Sequence, residues 1–248
     1  CIRDRIDTSD VIDTKNGILS FYGRKVRDSK KGGYGKISAA RAFEVSSNTA
    51  LVQIINDNYQ DKPEKFVEGL FDMKINNPLG LPILGEGVPK FTHPNDKVNW
   101  DGLDLPWMAF GYGISLTPLQ TLTFYNAIAN NGVMVKPRFI KEVKQFDQVV
   151  EKFDTEIISS SICSQETIDK VKNMMKNVVE KEHGTAHNIY SEDFSMAGKT
   201  GTCQTEYWKS EGLYISSFAG YFPADNPKYS CIVAVSYTHL RAHETSLH

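Results

Sequence analysis

The carboxyl-terminal third of this 248-residue chain constrains its fold most. Three strand-length runs rich in β-branched and aromatic residues follow one another there, at 194–204, 213–222 and 229–235. Turn signals such as Ala224-Asp225-Asn226-Pro227 separate them. The connections are too short for the crossover that a parallel pair requires, so an antiparallel sheet is expected. Upstream, helix and loop predominate. Helices first and strands last point to an α+β architecture, with helices packed on the sheet and a helical lobe beside it.

The helices are marked by their ends. Ser38 can cap a short helix through Val45, and a second begins after Ser46-Ser47-Asn48, with Leu51, Ile54 and Ile55 on one face. Residues 62–71 form a third amphipathic segment, and 76–107, rich in proline and glycine, reads as loop. Thr117-Pro118-Leu119-Gln120 combines an N-cap hydroxyl, a proline at the first helical position and the reciprocal glutamine of a capping box. Asn130-Asn131-Gly132 ends that helix, and 133–143 then reads as extended, broken by Pro137. A helix over 165–181 places Ile168, Val171, Met174, Met175, Val178 and Val179 in one stripe. Residues 6–36 look polar and turn-rich, closing in an exposed loop at 30–36.

With 40% apolar residues the chain can bury a sizeable core. A formal charge of −2 offers no electrostatic case for nucleic acid. Its longest apolar runs are far too short to span a bilayer, and nothing at the amino end reads as a signal peptide. Cys1, Cys163, Cys203 and Cys231 form no C-x-x-C pair, which argues against a metal cluster. Cys203 and Cys231, in strand-like runs, are expected as buried packing residues. Residues 1–5 and 236–248 resemble translated transposase-type library adapters and are set aside as non-native, leaving 6–235 as the informative chain. His239, His243 and His248 go with that tail.

Several short patterns could carry chemistry. Gly198-Lys199-Thr200 suggests a phosphate loop, but Asp193 stands where that motif needs a glycine. His183-Gly184-Thr185-Ala186-His187 has the spacing of a helical metal pair, yet it lacks the adjacent acid and Gly184 weakens a helix there. These two histidines are expected to be unpaired in a loop. Ser46-Ser47-Asn48 and Lys199-Thr200-Gly201-Thr202 are more informative together than apart. In order, they match the second and third elements of the serine acyl-transferase set S-x-x-K, S-x-N, K-T-G. The first joins two expected helices and the second opens a strand.

The resemblance extends beyond the motifs. Residues 42–48, Gly111-Tyr112-Gly113 with 116–120, 198–204 and 217–229 resemble class B penicillin-binding proteins. The last of these segments, with residues 7–17, is more similar to the cell-division (septal) branch than to the elongation branch. The resemblance implies a β-lactamase/transpeptidase-like fold, incomplete at both ends. It implies a D,D-transpeptidase that cross-links peptidoglycan stem peptides ending in D-Ala-D-Ala, is acylated by β-lactams and works without metal or organic cofactor. It also implies a periplasmic enzyme anchored in the inner membrane by a segment absent here, with division-complex membrane proteins as partners. Relatives with the same core include β-lactam hydrolases and sensors, and a catalytically silent cell-wall or divisome scaffold is the alternative of a different class.

The residue chemistry agrees with that implication. Acyl transfer needs a nucleophile, a proton shuttle, oxyanion donors and a grip on the substrate. Lys199 can supply positive charge, Ser46 a proton-relay hydroxyl and Asn48 an amide for a substrate peptide group. Thr200 and Thr202 can bind a terminal carboxylate, with the Thr202 N–H as an oxyanion donor by family analogy. Gly201, lacking Cβ, lets an extended substrate lie alongside. The nucleophile itself is missing: no Ser-x-x-Lys occurs in the sequence, and Thr167-Ile168-Asp169-Lys170 lies downstream of Ser46, in the wrong order. This chain is therefore expected to be inactive by itself.

Overall fold

A computed structural model describes residues 6–205 and 213–237. Four short strands open the chain: β1 (Val11–Asp13), β2 (Ile18–Phe21), β3 (Arg24–Arg27) and β4 (Lys36–Ser38). β1 pairs antiparallel with β4, and β2 with β3. Sequence reading expects only loop here, because strands of three or four residues are too short to display a period of two. The β2–β3 turn puts Tyr22 (φ 45°) and Gly23 (φ 77°) in the left-handed region, as a two-residue hairpin requires. Gly17 and Gly33 meet backbone to backbone: a Cβ on Gly17 would stand 2.7 Å from the Gly33 Cα. Only glycine permits that approach.

Helices α1 (Ala39–Glu44), α2 (Asn48–Tyr59) and α3 (Pro63–Asp72) follow. Ser38 Oγ accepts the Arg41 N–H at 3.1 Å and caps α1; Ser47 Oγ accepts the Ala50 N–H at 3.2 Å and caps α2. The proline-rich stretch contains β5 (Lys90–Phe91) and α4 (Asp104–Met108), and β5 pairs with β6 (Ile114–Ser115). Ile12, Ala42, Ala50, Ile54, Ile55, Tyr59 and Leu105 close one core, joining β1, α1, α2 and α4 into a helical lobe.

α5 (Pro118–Ala129) carries both halves of the expected capping box: Gln120 N to Thr117 Oγ1 at 3.2 Å, and Thr117 N to Gln120 Oε1 at 2.8 Å. The extended segment after it divides in two. β7 (Met134–Val135) pairs with β10 (Ile157–Ser159), whereas β8 (Glu142–Gln145) turns back onto β9 (Gln148–Lys152) as an exposed hairpin. α6 (Gln165–Glu180) is capped by Ser164 and buries Ile168, Met175, Val178 and Val179 from its stripe. Each such side chain contributes about 1.5–3 kcal/mol relative to exposure.

β11 (Ala197–Thr205), β12 (Leu213–Phe222) and β13 (Tyr229–Tyr237) form an antiparallel sheet in that order, with Lys199 opposite Ala219 and Ala219 opposite Ile232. The second core lies between this sheet and α5 and α6, around Ala127, Met134, Ile168, Met175, Ala197 and Tyr221. The architecture is α+β, as the order of elements implies. β13 continues through Ser236 and Tyr237, whose ring stacks on Tyr214 with centroids 5.9 Å apart. The rest of the two adapter-like segments, 1–5 and 238–248, lies outside the described residues. Cys203 is exposed and Cys231 half-buried, which corrects the expectation of two buried packing thiols. No helix of the described residues is long and apolar enough to cross a membrane.

Candidate active site

Ser46 sits at the sharp turn from α1 into α2. Its N–H bonds to Phe43 O at 3.2 Å and the Ser47 N–H to Ala42 O at 2.9 Å, the paired closure of a Schellman motif. The residue between the two helices must then be left-handed, a place normally filled by glycine. Here it is serine, with φ 52°. A side chain held there costs about 1–3 kcal/mol, which local packing must offset.

That strained turn aims the hydroxyl at β11. Lys199 Nζ donates to Ser46 Oγ and, at 3.0 Å, to Thr200 O. The ammonium also stands 5.7 Å from the ring centre of Phe43. Burial lowers the Lys199 pKa to about 8, because a cation loses hydration there. The two motifs, far apart in sequence, thus meet through one hydrogen bond.

The α2 end of the turn rests on a buried acid that sequence reading misses. Asp28, at the end of β3, accepts Ser47 Oγ at 3.1 Å, Thr49 N at 2.9 Å and Thr49 Oγ1 at 2.7 Å. A carboxylate at a helix amino terminus satisfies free N–H groups and complements the helix dipole. Asn48 Nδ2 donates to Arg27 O at 2.9 Å, which leaves its Oδ1 as an acceptor. Nothing local in the sequence links Asp28 to residues 47–49, about twenty positions away.

The remaining expected site residues lie along β11. Thr200 and Thr202 share one face by strand alternation, and Lys199 and Gly201 the other. Thr200 Oγ1 is 2.6 Å from Thr185 Oγ1. Gly201 and Thr202 are exposed, and a Cβ on Gly201 would meet Ser217 Oγ at 2.9 Å. No hydrogen bond among the described residues joins Asn48 or Thr202 to Ser46 or Lys199. Thr167 lies in the first turn of α6, while Lys170 pairs with Asp7 at 3.1 Å and Glu166 at 2.8 Å.

The two histidines are not unpaired, contrary to expectation. His183 Nε2 lies 2.6 Å from Glu44 Oε2, and His187 Nδ1 lies 3.2 Å from Val179 O, its ring stacked on Tyr190. The sequence signal for the first contact was Glu44 itself. An acid in the last turn of a helix opposes the dipole and calls for a partner.

Comparison with known proteins agrees with this geometry. The family profile described as penicillin binding protein transpeptidase domain matches residues 3–247. The chain is 28% identical over 222 residues to stage V sporulation protein D of Bacillus subtilis, covering 88% of this chain and 33% of that protein. It is 31% identical over 227 residues to penicillin-binding protein PbpB of Mycolicibacterium smegmatis, covering 86% and 33%. Penicillin binding protein 3 of Mycobacterium tuberculosis, solved with aztreonam, superposes with a TM-score of 0.76 at 27% identity over 95% of this chain and 53% of that one. The transpeptidase domain of Burkholderia pseudomallei penicillin-binding protein 3 shares the fold, with a TM-score of 0.74 at 23% identity over 94% and 65%. The chain spans about a third of the length of the curated relatives it matches. With nearly every residue inside the family profile, the chain belongs to the penicillin-binding protein transpeptidase domain family.

Proposed function

We propose that this chain is the substrate-gripping and proton-relay part of a septal peptidoglycan D,D-transpeptidase working through a serine acyl-enzyme. The observation that carries the reading is the hydrogen bond from Lys199 Nζ to Ser46 Oγ, which joins the second and third motifs of that chemistry. A serine hydroxyl from a Ser-x-x-Lys tetrad, which these 248 residues do not contain, attacks the penultimate D-Ala carbonyl of a stem peptide. The carbon–nitrogen bond breaks, and the terminal D-Ala leaves as an amine that takes its proton through Ser46. An acceptor amine then attacks the ester, forming the cross-link amide and returning a proton to the nucleophile.

The placement of the other residues is compatible with the roles we propose for them. Lys199 keeps the Ser46 hydroxyl polarised and adds positive charge near the substrate carboxylate. Asn48 offers its free Oδ1 to a substrate N–H. Thr200 and Thr202, on one face of β11, bind the terminal carboxylate by hydroxyl, and the Thr202 N–H serves the oxyanion. Gly201 lets the substrate add as a strand along β11. β-Lactams would acylate the same serine. The resemblance to septal class B penicillin-binding proteins leads us to place the parent protein at the periplasmic side of the cell membrane, among division proteins.

Two incubations with fluorescent penicillin test the reading. A protein restoring the tetrad upstream of this chain is expected to form a covalent band that survives denaturation. The 248-residue chain alone is expected to form none. A band on the chain alone that disappears in Ser46→Ala would make Ser46 the nucleophile and overturn the assignment.

A further inference from the structure

Glu44 is a buried acid that none of these steps uses. Its carboxylate receives Asn177 Nδ2 at 2.8 Å and lies 2.6 Å from His183 Nε2, while its backbone carbonyl accepts the Thr185 N–H at 3.2 Å. A carboxylate can only accept, so Nε2 carries the proton in that contact. The segment holding His183 and Thr185 folds back over the end of α6: Gly184 N bonds to Lys181 O at 2.7 Å and Ala186 N to Val178 O at 3.1 Å. Gly184 passes so close to the Val178 carbonyl that a Cβ would collide with it.

This turn therefore touches both sides of the candidate site. Through Glu44 it grips the last residue of α1, two positions before Ser46. Through Thr185 Oγ1 it grips Thr200, the neighbour of Lys199. We propose that Glu44 and His183 act as a positioning pair, tying α1 to β11 through the turn at 183–185 so that Ser46 and Lys199 stay in contact. Neither touches substrate. The inference rests on the acyl-transfer reading for its functional meaning, but it can be tested without turnover.

The probe is the Lys199 amine itself. The 248-residue chain is labelled competitively with acetic anhydride across pH, and the Lys199 peptide is quantified by mass spectrometry. In the unaltered chain Lys199 should titrate at about 8. In His183→Leu the turn loosens, water reaches the amine, and the midpoint should rise by at least about one pH unit toward the ordinary lysine value. His183→Gln, whose amide can donate to Glu44 in place of Nε2–H, should restore it. An unchanged midpoint in His183→Leu, or equal disturbance in both variants, overturns the proposal. If His183→Leu loses its circular-dichroism signature of folding, Thr185→Val decides. Thr185 is exposed and the change removes one hydroxyl, so the fold should survive while the midpoint rises; no rise overturns the proposal. Failure of the acyl-transfer reading would appear elsewhere, as penicillin acylation of the tetrad-restored protein that is indifferent to Lys199→Ala.

Discussion

Lys199 Nζ donates to Ser46 Oγ, joining a strand residue to a helix-end residue that precedes it by 153 positions. The contact stands on an unfavourable backbone, since Ser46 occupies the left-handed position that closes α1. The proton-relay role proposed for Ser46 and local stability therefore pull apart at this residue.

The first prediction follows from that conflict. Ser46→Ala and Ser46→Gly both remove the hydroxyl, but only glycine relieves the left-handed strain. Ser46→Gly should be more stable than Ser46→Ala by about 1 kcal/mol in urea unfolding. Equal stabilities would mean that Ser46 relaxes to a right-handed conformation in solution.

Lys199 should make stability depend on alkaline pH. Its pKa is about 8 in the folded chain and near the ordinary 10.5 when unfolded. Between those values the unfolded state holds more protons, so stability rises with pH across the window, and the cost of the buried cation is fully present below about 8. The total effect is of order 3 kcal/mol. Unfolding curves at pH 7.5 and 9.5 should therefore differ more for the unaltered chain than for Lys199→Met, which has no proton to lose. Identical differences would contradict the burial of the amine.

In a protein with the Ser-x-x-Lys tetrad restored, Lys199→Ala should slow acylation by penicillin at least ~100-fold, the scale of lost electrostatic or acid–base assistance. Labelling within a factor of two of the unaltered protein would remove Lys199 from the mechanism.

Asp28→Asn turns one acceptor oxygen into a donor facing the Ser47 and Thr49 donors. The change should destabilise by about 2 kcal/mol and loosen the start of α2. Hydrogen exchange at the Thr49 and Ala50 amides should accelerate well beyond the global change; uniform acceleration would locate the damage elsewhere.

Met175→Ala should cost about 2–5 kcal/mol, since Met175 is fully buried between α6 and the sheet. Chemical denaturation measures it directly, and a loss under 1 kcal/mol would place the side chain outside the core.

Features with local causes can be read from the amino-acid order alone. The capping box at Thr117 and Gln120, the Ser38 cap, the α6 stripe and the succession of β11, β12 and β13 all depend on neighbours within a few residues. So their types are legible from spacing and their bounds only to within a few residues, since β11 begins at Ala197 rather than at 194 and β13 runs on to Tyr237. The two motifs were legible as well, because S-x-N and K-T-G are short contiguous strings. Tertiary structure decided what distance in sequence conceals. Only folding sets Asp28 under the N-terminus of α2, gives His183 the Glu44 carboxylate and brings Lys199 to Ser46. The short hairpins of residues 11–38 belong there too, since their pairing rests on partners more than on period. Cys203 shows the converse: an apolar-looking strand position is exposed although Ala197, on the same face of β11, is buried in the core. Local pattern assigns a residue to an element and a face. What lies opposite that face is set by chain packing, which follows from long-range burial and hydrogen-bond satisfaction that no short window contains.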